Sequence, residues 1–285
     1  MKIALNTKIN DIFLGFQKVF APSSLKHDLD FSNLEPLINK TISPKDALYP
    51  VYKKDNAEQN YFVSGLRQLA SFDHLLHQYR GKRLAQCRSI VDFACHYGRV
   101  LRCLRAALPS GNLYACDIDR EAVEFCVKEF GCLPLFGSWT IEDMITDNQH
   151  DFIFCISLLT HTRKEYFSKA LKLWETMLQP GGLLLFTFLG ENYIDRWISG
   201  QLDHYIPTPV DKITVQSKVA EFEKFGHTFQ GFTTGYSAGD DYGIGFLNRT
   251  LVESELKAHR TLKLQVVISG FENNFSQDLA VVLKL

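Results

Sequence analysis

Through the middle of the chain, short runs that are apolar on both faces alternate with stretches of helical period. SIVDF (89–93), NLYAC (112–116), CLPLF (132–136), DFIFCIS (151–157) and LLLFTFL (183–189) read as strands, while RVLRCLRAAL (99–108), REAVEFCVKEF (120–130) and KEYFSKALKLWETML (164–178) read as helices. Strands apolar on both faces belong in a parallel sheet buried between helices, and the stretches between them are long enough for right-handed crossovers. The pattern predicts a doubly wound, mostly parallel α/β sheet. Ahead of it, residues 61–79 place Phe62, Leu66, Leu69, Phe72, Leu75 and Leu76 at three- and four-residue spacing, an amphipathic helix that leads into the first strand. At the far end LQVVISGF (264–271) and DLAVVLKL (278–285) are separated only by ENNFSQ, too short for a parallel crossover, so they form an antiparallel hairpin.

Two regions lack this order. Residues 1–60 carry scattered apolar positions interrupted by Pro22, Pro36, Pro44 and Pro50, and read as an N-terminal cap of short helices before a single domain at 61–285. Residues 191–249 are the least regular part of that domain and read as an insertion. Their segment GFTTGYSAGDDYGIGF (231–246) has five glycines with Tyr236, Asp240, Asp241 and Tyr242, which predicts a tightly turned or mobile segment across the site. Tyr242 and Asp241 in that segment are candidates for contact with an acceptor. Gln277 and Asp278, before the last strand, read as an exposed hairpin turn.

Composition narrows the function. With a formal net charge of -1 and a pI near 6.7, nothing favours a polyanion as a general partner. The basic residues Arg80, Lys82, Arg83, Arg88, Arg99, Arg102 and Arg105 form a concentration whose only acid is Asp92. The three-residue spacing of its last members reads as a solvated helix face, so no nucleic-acid partner is expected. The N-terminus lacks an unbroken apolar signal region, and no stretch approaches the roughly 20 apolar residues of a spanning helix. A soluble, cytoplasmic protein without a membrane partner is expected. Seven cysteines between Cys87 and Cys155, odd in number and without a C-x-x-C pair, read as reduced core thiols, and no metal site is expected.

The chemistry gathers at SIVDFACHYGRVLR (89–102), a strand, a turn and the start of a helix. Open α/β sheets bind ligands beyond the carboxyl ends of their strands. A dinucleotide enzyme would place G-x-G-x-x-G there to face a pyrophosphate. This turn has only Gly98, and it carries Asp92, which suits a ligand with a cationic end. VDFACHYGR resembles the first motif of class I S-adenosylmethionine-dependent methyltransferases, an acid followed by small residues and glycines. The resemblance continues in order through LYACDIDREAV, FGSW, DFIFCISLLTH and LQPGGLLLFTFLG, covering about residues 90–190, and the terminal hairpin fits that family's reversed last strand.

The resemblance implies a Rossmann-like, seven-stranded sheet with an antiparallel last strand and S-adenosyl-L-methionine as cofactor. It implies cofactor contacts from Asp92, Ala94, Cys95, His96 and Gly98 in the first turn, from Asp117 and Ile118 after the second strand, from Ser138 and Trp139 beside adenine, and from Ser157. Asp117 matches the acid that accepts from two ribose hydroxyls. Pro180, Gly181 and Gly182 would end one helix and open the next strand. His161, in SLLTH after the fourth strand, is the candidate base, since an imidazole is largely neutral around pH 7. The expected activity is methyl transfer to an oxygen or nitrogen of a small-molecule or glycan-related acceptor. His96 departs from the family, standing where glycine is usual, and histidine is among the few residues enriched at positive φ. Ala94 is a milder departure, since a methyl still allows close backbone approach. If His96 instead closes the turn, the chain is a non-catalytic binding protein on the same scaffold. A nicotinamide-dependent oxidoreductase is the remaining alternative in this fold, opposed by the missing glycines.

Overall fold

A computed structural model describes residues 31–53, 58–144, 146, 149–201, 210–232, 241–271 and 277–285. The helices are α1 (Phe31–Leu34), α2 (Leu48–Lys53), α3 (Glu58–Arg80), α4 (Leu101–Ala107), α5 (Arg120–Phe130), α6 (Lys164–Met177), α7 (Glu191–Ile198), α8 (Lys212–Phe225) and α9 (Arg249–Lys257). The strands are β1 (Ser89–Phe93), β2 (Asn112–Asp117), β3 (Leu133–Phe136), β4 (His150–Cys155), β5 (Leu178–Phe188), β6 (His227–Gly231), β7 (Gly243–Leu247), β8 (Leu262–Phe271) and β9 (Gln277–Lys284).

The main sheet has the order β3-β2-β1-β4-β5-β9-β8. Strands β1 to β5 are mutually parallel, and β9 runs antiparallel to both β5 and β8. The alternation of side chains along each strand builds two cores. Ile90, Phe152, Phe154, Leu183 and Leu185 face one side, against α3, α4 and α5. Val91, Phe93, Ile153, Leu184, Phe186 and Phe188 face the other, where Phe167, Leu171 and Trp174 of α6 and Val252 and Leu256 of α9 cover them. Both faces are buried, which is why the strand sequences read as unbroken apolar runs. Local signals mark the helix ends: Asp119 accepts from the amides of Glu121 and Ala122 at the start of α5, and Gly131 closes it at φ 61°.

The cysteines are free and buried. No described helix is long and apolar enough to cross a membrane. Residues 1–30 and 54–57 of the expected cap lie outside the described residues. The rest of it includes α1, the single turn Glu35–Leu37 and α2, and the long helix begins at Glu58, three residues before the boundary expected from sequence.

Three expectations are corrected. The insertion is more regular than its composition suggests: α7, α8 and the hairpin β6–β7 form a small lobe around Leu189, Tyr193, Ile194, Trp197, Phe222, Ile244 and Phe246. Glycine is abundant in β7 because backbone passes very close there. A Cβ on Gly243 would lie 2.1 Å from the carbonyl oxygen of Gln230, and one on Gly245 would lie 2.3 Å from that of Thr162. Residues 233–240, with Tyr236 and Asp240, lie outside the described residues. Pro180, Gly181 and Gly182 do not precede the fifth strand but sit within β5, at an irregularity in its pairing with β4, with Gly181 at φ 74°.

The arginine series is not a solvated face. Arg102 is 1% exposed and donates to the carbonyls of Tyr97, Gly98, Asn39 and Thr41, with the rings of Tyr61, Phe62 and Phe130 around its guanidinium. Arg105 donates to the carbonyls of Leu108, Pro109, Gly111, Phe130 and Gly131. Arg80 pairs with Asp151 at 3.0 Å and Arg83 with the buried Asp73 at 2.9 Å. Three-residue spacing puts these side chains on one side of a helix, but distant segments cover that side and supply carbonyls to match the guanidinium donors.

Candidate active site

The chain leaves β1 toward β2 on one side and returns to β4 on the other. The strand order therefore reverses at the carboxyl ends of β1 and β4, where a crevice opens. A cavity of about 210 Å³ lies there. Asp92, Ala94, Cys95, His96, Arg99 and Val100 line it from β1 and its turn, and Ile156, Ser157, Thr160 and His161 from the end of β4. Leu189 just after β5, Tyr193, Phe232 and Ile244 from the insertion and Gln277 from β9 complete it, with Leu48 from the N-terminal segment.

The turn after β1 has an unusual backbone. Ala94, His96 and Gly98 take φ values of 75°, 48° and 73°, so left-handed residues recur at every second position. The amides of Ala94 and Cys95 both donate to the carbonyl of Cys116, at 2.8 and 2.9 Å, and that of His96 donates to Asp117 Oδ2 at 2.8 Å. His96 thus has the conformation its residue type suggested. Ala94 is not the mild departure expected: its methyl group sits in a left-handed conformation that costs about 1–2 kcal/mol in an L-residue. Ala94→Gly is expected to stabilise the fold by about 1 kcal/mol, raising the melting temperature by about 2–4 °C in a chain of this size. A scanning-calorimetry comparison checks this, and a lower melting temperature would refute the strain.

Asp92 is 4% exposed at the end of β1 and borders the cavity. Burial pushes its carboxyl well above the usual range; the Arg99 charge opposes this and Asp117 adds to it. Such a group favours a ligand that brings positive charge. Asp117 ends β2 with Oδ1 accepting the Asp119 amide at 2.9 Å and Oδ2 accepting the His96 amide. Burial raises its carboxyl, and those two amides and His96 pull against the rise. Two backbone donors fix the carboxylate while lone pairs remain for further donors. Ile118, Phe136 and Trp139 are exposed near the ends of β2 and β3, outside the cavity, and Ser138 Oγ accepts the Thr140 amide at 3.1 Å.

His161 ends the single helical turn Leu159–His161. Its Nδ1 lies 2.8 Å from the carbonyl oxygen of Gly243, and its ring stacks on Tyr242 with centroids 5.0 Å apart. A carbonyl only accepts, so Nδ1 carries the proton and Nε2 keeps the lone pair. Burial lowers the pKa of the imidazole, which the Gly243 bond partly offsets. Ser157, at φ 65°, takes the Thr187 hydroxyl as acceptor for its amide, and its own hydroxyl bonds Gln277. Thr160 donates to the carbonyl of Ser157.

Sequence reasoning misplaced some residues and missed others. Gln277 and Asp278 are not an exposed turn: both are buried as β9 begins, and Gln277 reaches the cavity. Asp241 is not in the cavity lining. It lies at the surface with its side chain 75% exposed, paired with Arg163 at 3.1 Å. Arg99, Tyr193 and Leu48 line the cavity without having been singled out as ligand contacts. Arg99, directly after Gly98 and donating to Ser64 Oγ at 2.8 Å, was masked by its place in the basic series.

Residues 90–182 match the family model of a methyltransferase domain. The match begins within β1, spans the strained turn and the end of β4, and closes at the irregularity in β5. Over these residues the chain carries a methyltransferase domain. The methyltransferase shares its fold with an amino pentose methyltransferase of Micromonospora echinaspora involved in calicheamicin biosynthesis, solved with S-adenosylmethionine bound. The two are 13% identical with a TM-score of 0.55, over 87% of this chain and 99% of that one. A protein of Pyrococcus horikoshii aligns with a TM-score of 0.53 at 15% identity, over 86% of this chain and all of that one. DesVI of Streptomyces venezuelae aligns with a TM-score of 0.52 at 11% identity, over 91% of this chain and all of that one. At these identities the likeness is one of fold. No curated protein matches the methyltransferase. The buried acid bordering the cavity fits a ligand with an ammonium group, as the S-adenosylmethionine expected from the sequence has.

Proposed function

We propose that the methyltransferase methylates a hydroxyl group of a small, mostly apolar acceptor, with His161 as the base. The observation that carries this reading is one cavity lined by both Asp92 and His161. Asp92 would hold the cofactor's ammonium and Arg99 its carboxylate, the strained turn through Ala94, Cys95, His96 and Gly98 would pass alongside, and Asp117 would take the ribose hydroxyls. Ile118 and Trp139 give adenine an apolar surface, and Ser138 and Ser157 would supply polar contacts at either end. When bound, the cofactor supplies a methyl group made electrophilic by a sulfonium.

The chain's own residues handle the acceptor. Leu48, Leu189, Tyr193, Phe232 and Ile244 provide apolar walls, and Gln277 and Ser157 provide amide and hydroxyl groups. A cationic amine would be poorly solvated between those walls, whereas a neutral hydroxyl enters at less cost. Nε2 of a neutral His161 accepts the hydroxyl proton as the oxygen gains its methyl. Tyr242 stacks on the imidazole and, with Gly243, holds it in place.

The test is a panel of phenols, aliphatic alcohols, glycosides and primary amines incubated with the protein and S-adenosylmethionine, with S-adenosylhomocysteine release as readout. Turnover is expected with hydroxylated ring compounds, and the product should carry an O-methyl ether by mass spectrometry. Turnover confined to amines would overturn the reading, and turnover confined to glycosides would replace the apolar acceptor with a sugar.

A further inference from the structure

The residue that departs from the family's glycine also joins two parts of the chain. His96 Nδ1 lies 3.4 Å from Oδ1 of Asp46, which is 3% exposed. The same Asp46 oxygen accepts the amides of Leu48 and Tyr49 at the start of α2, and Oδ2 accepts the Tyr61 hydroxyl of α3 at 2.6 Å. Burial alone would raise the Asp46 carboxyl, but His96, Tyr61 and the Tyr49 amide together hold it below the usual range. Leu48, whose amide Asp46 holds, is the N-terminal segment's contribution to the cavity wall. A second tie runs through Arg102, which donates both to the cofactor turn at Tyr97 and Gly98 and to the N-terminal segment at Asn39 and Thr41. Lys45 pairs with Glu121 of α5, adding a contact at the surface.

A glycine at position 96 would allow the same backbone without strain, but it would have no group to meet Asp46. The strain at φ 48° is therefore accompanied by a contact that only a side chain supplies. We propose that His96 and Asp46 are positioning residues that hold residues 38–53 against the cofactor turn as a wall of the cavity. This rests on the cavity being the cofactor site. In that arrangement His96 serves both sides: its amide orients Asp117, and its ring fixes the segment that carries Leu48.

Hydrogen exchange on the ligand-free chain, with calorimetric titration by S-adenosylhomocysteine, tests the proposal on His96→Gly, His96→Gln and Asp46→Asn. His96→Gly is expected to speed exchange at the Asp46, Leu48 and Tyr49 amides and to weaken S-adenosylhomocysteine about tenfold, within the usual range of coupling between sites. Its melting temperature should not fall, because the left-handed turn becomes easier to hold. His96→Gln, whose amide can still donate to Asp46, should restore most of the affinity, and Asp46→Asn should lower affinity without touching the turn itself. Unchanged exchange and affinity in His96→Gly would overturn the proposal, as would faster exchange with unchanged affinity. Faster exchange in a chain that binds no S-adenosylhomocysteine even as wild type would sink the cofactor reading and leave the tie between His96 and Asp46 standing.

Discussion

Asp92→Asn is expected to weaken S-adenosylhomocysteine binding at least about 30-fold while raising the melting temperature of the ligand-free protein at pH 7. The two effects share a cause. Asp92 lies at the end of a buried strand, and desolvation raises its carboxyl well above the usual range against the pull of Arg99. An acid so raised binds protons in the fold at pH values where the unfolded chain has released them. Its contribution to stability is therefore greatest below its unfolded value of about 3.9 and is lost as the pH rises toward the folded value. Asparagine carries no charge to desolvate, so the variant should show a flatter stability profile above that pH.

The ligand reverses this balance, because an ammonium favours the ionised acid. Wild-type binding should release protons, read as a dependence of calorimetric heat on the ionisation enthalpy of the buffer, and Asp92→Asn should abolish that dependence. Removing one partner from a buried charge pair costs about 2–5 kcal/mol, which is a loss of affinity of at least about 30-fold. Unchanged affinity would remove Asp92 from the cofactor site. A lower melting temperature would mean that the carboxylate is already compensated within the protein.

His161→Gln is expected to lower kcat by about 10²–10⁴ while leaving S-adenosylhomocysteine affinity within about twofold. The base must be neutral to accept a proton, so wild-type activity should rise with pH through the imidazole's titration. Burial lowers that titration and the Gly243 carbonyl offsets only part of the shift, so the acidic limb should lie below the ordinary histidine value of about 6.5. The variant should lose this limb. A pH–rate profile of both proteins with a hydroxylated acceptor decides it. An unchanged kcat, or an acidic limb at the ordinary value in both, would leave His161 as a support for β7 and the turn before α6.

The candidate site was only partly legible before folding. Asp92, His96, Asp117 and His161 could be named because the segments that carry them resemble methyltransferase motifs in order, and the strand ends they close or follow converge on one edge of a parallel sheet. Arg99 and Gln277 could not be named in the same way. Arg99 sits in a run of arginines whose spacing suits a solvated helix, and Gln277 ends the polar stretch ENNFSQ, whose residue types usually face water. Asp241 erred the other way: an acid beside an aromatic and several glycines looked like a ligand contact, yet Arg163 holds it at the surface.

By itself the sequence determined the doubly wound core, the reversed terminal strand and the position of the turn after β1. Buried parallel strands must be apolar on both faces, and a six-residue connection permits only an antiparallel return. The tertiary structure alone decided the lobe formed by α7, α8, β6 and β7, where glycines permit backbone to pass at contact distance from Gln230 and Thr162. It also decided the fate of Arg102, whose partners at Asn39 and Thr41 lie some sixty residues earlier in the chain, and the pairing of His96 with Asp46. Local periodicity records which face of an element is covered, not what covers it. A polar side chain's role depends on the distant donor or acceptor that folding brings within about 3 Å.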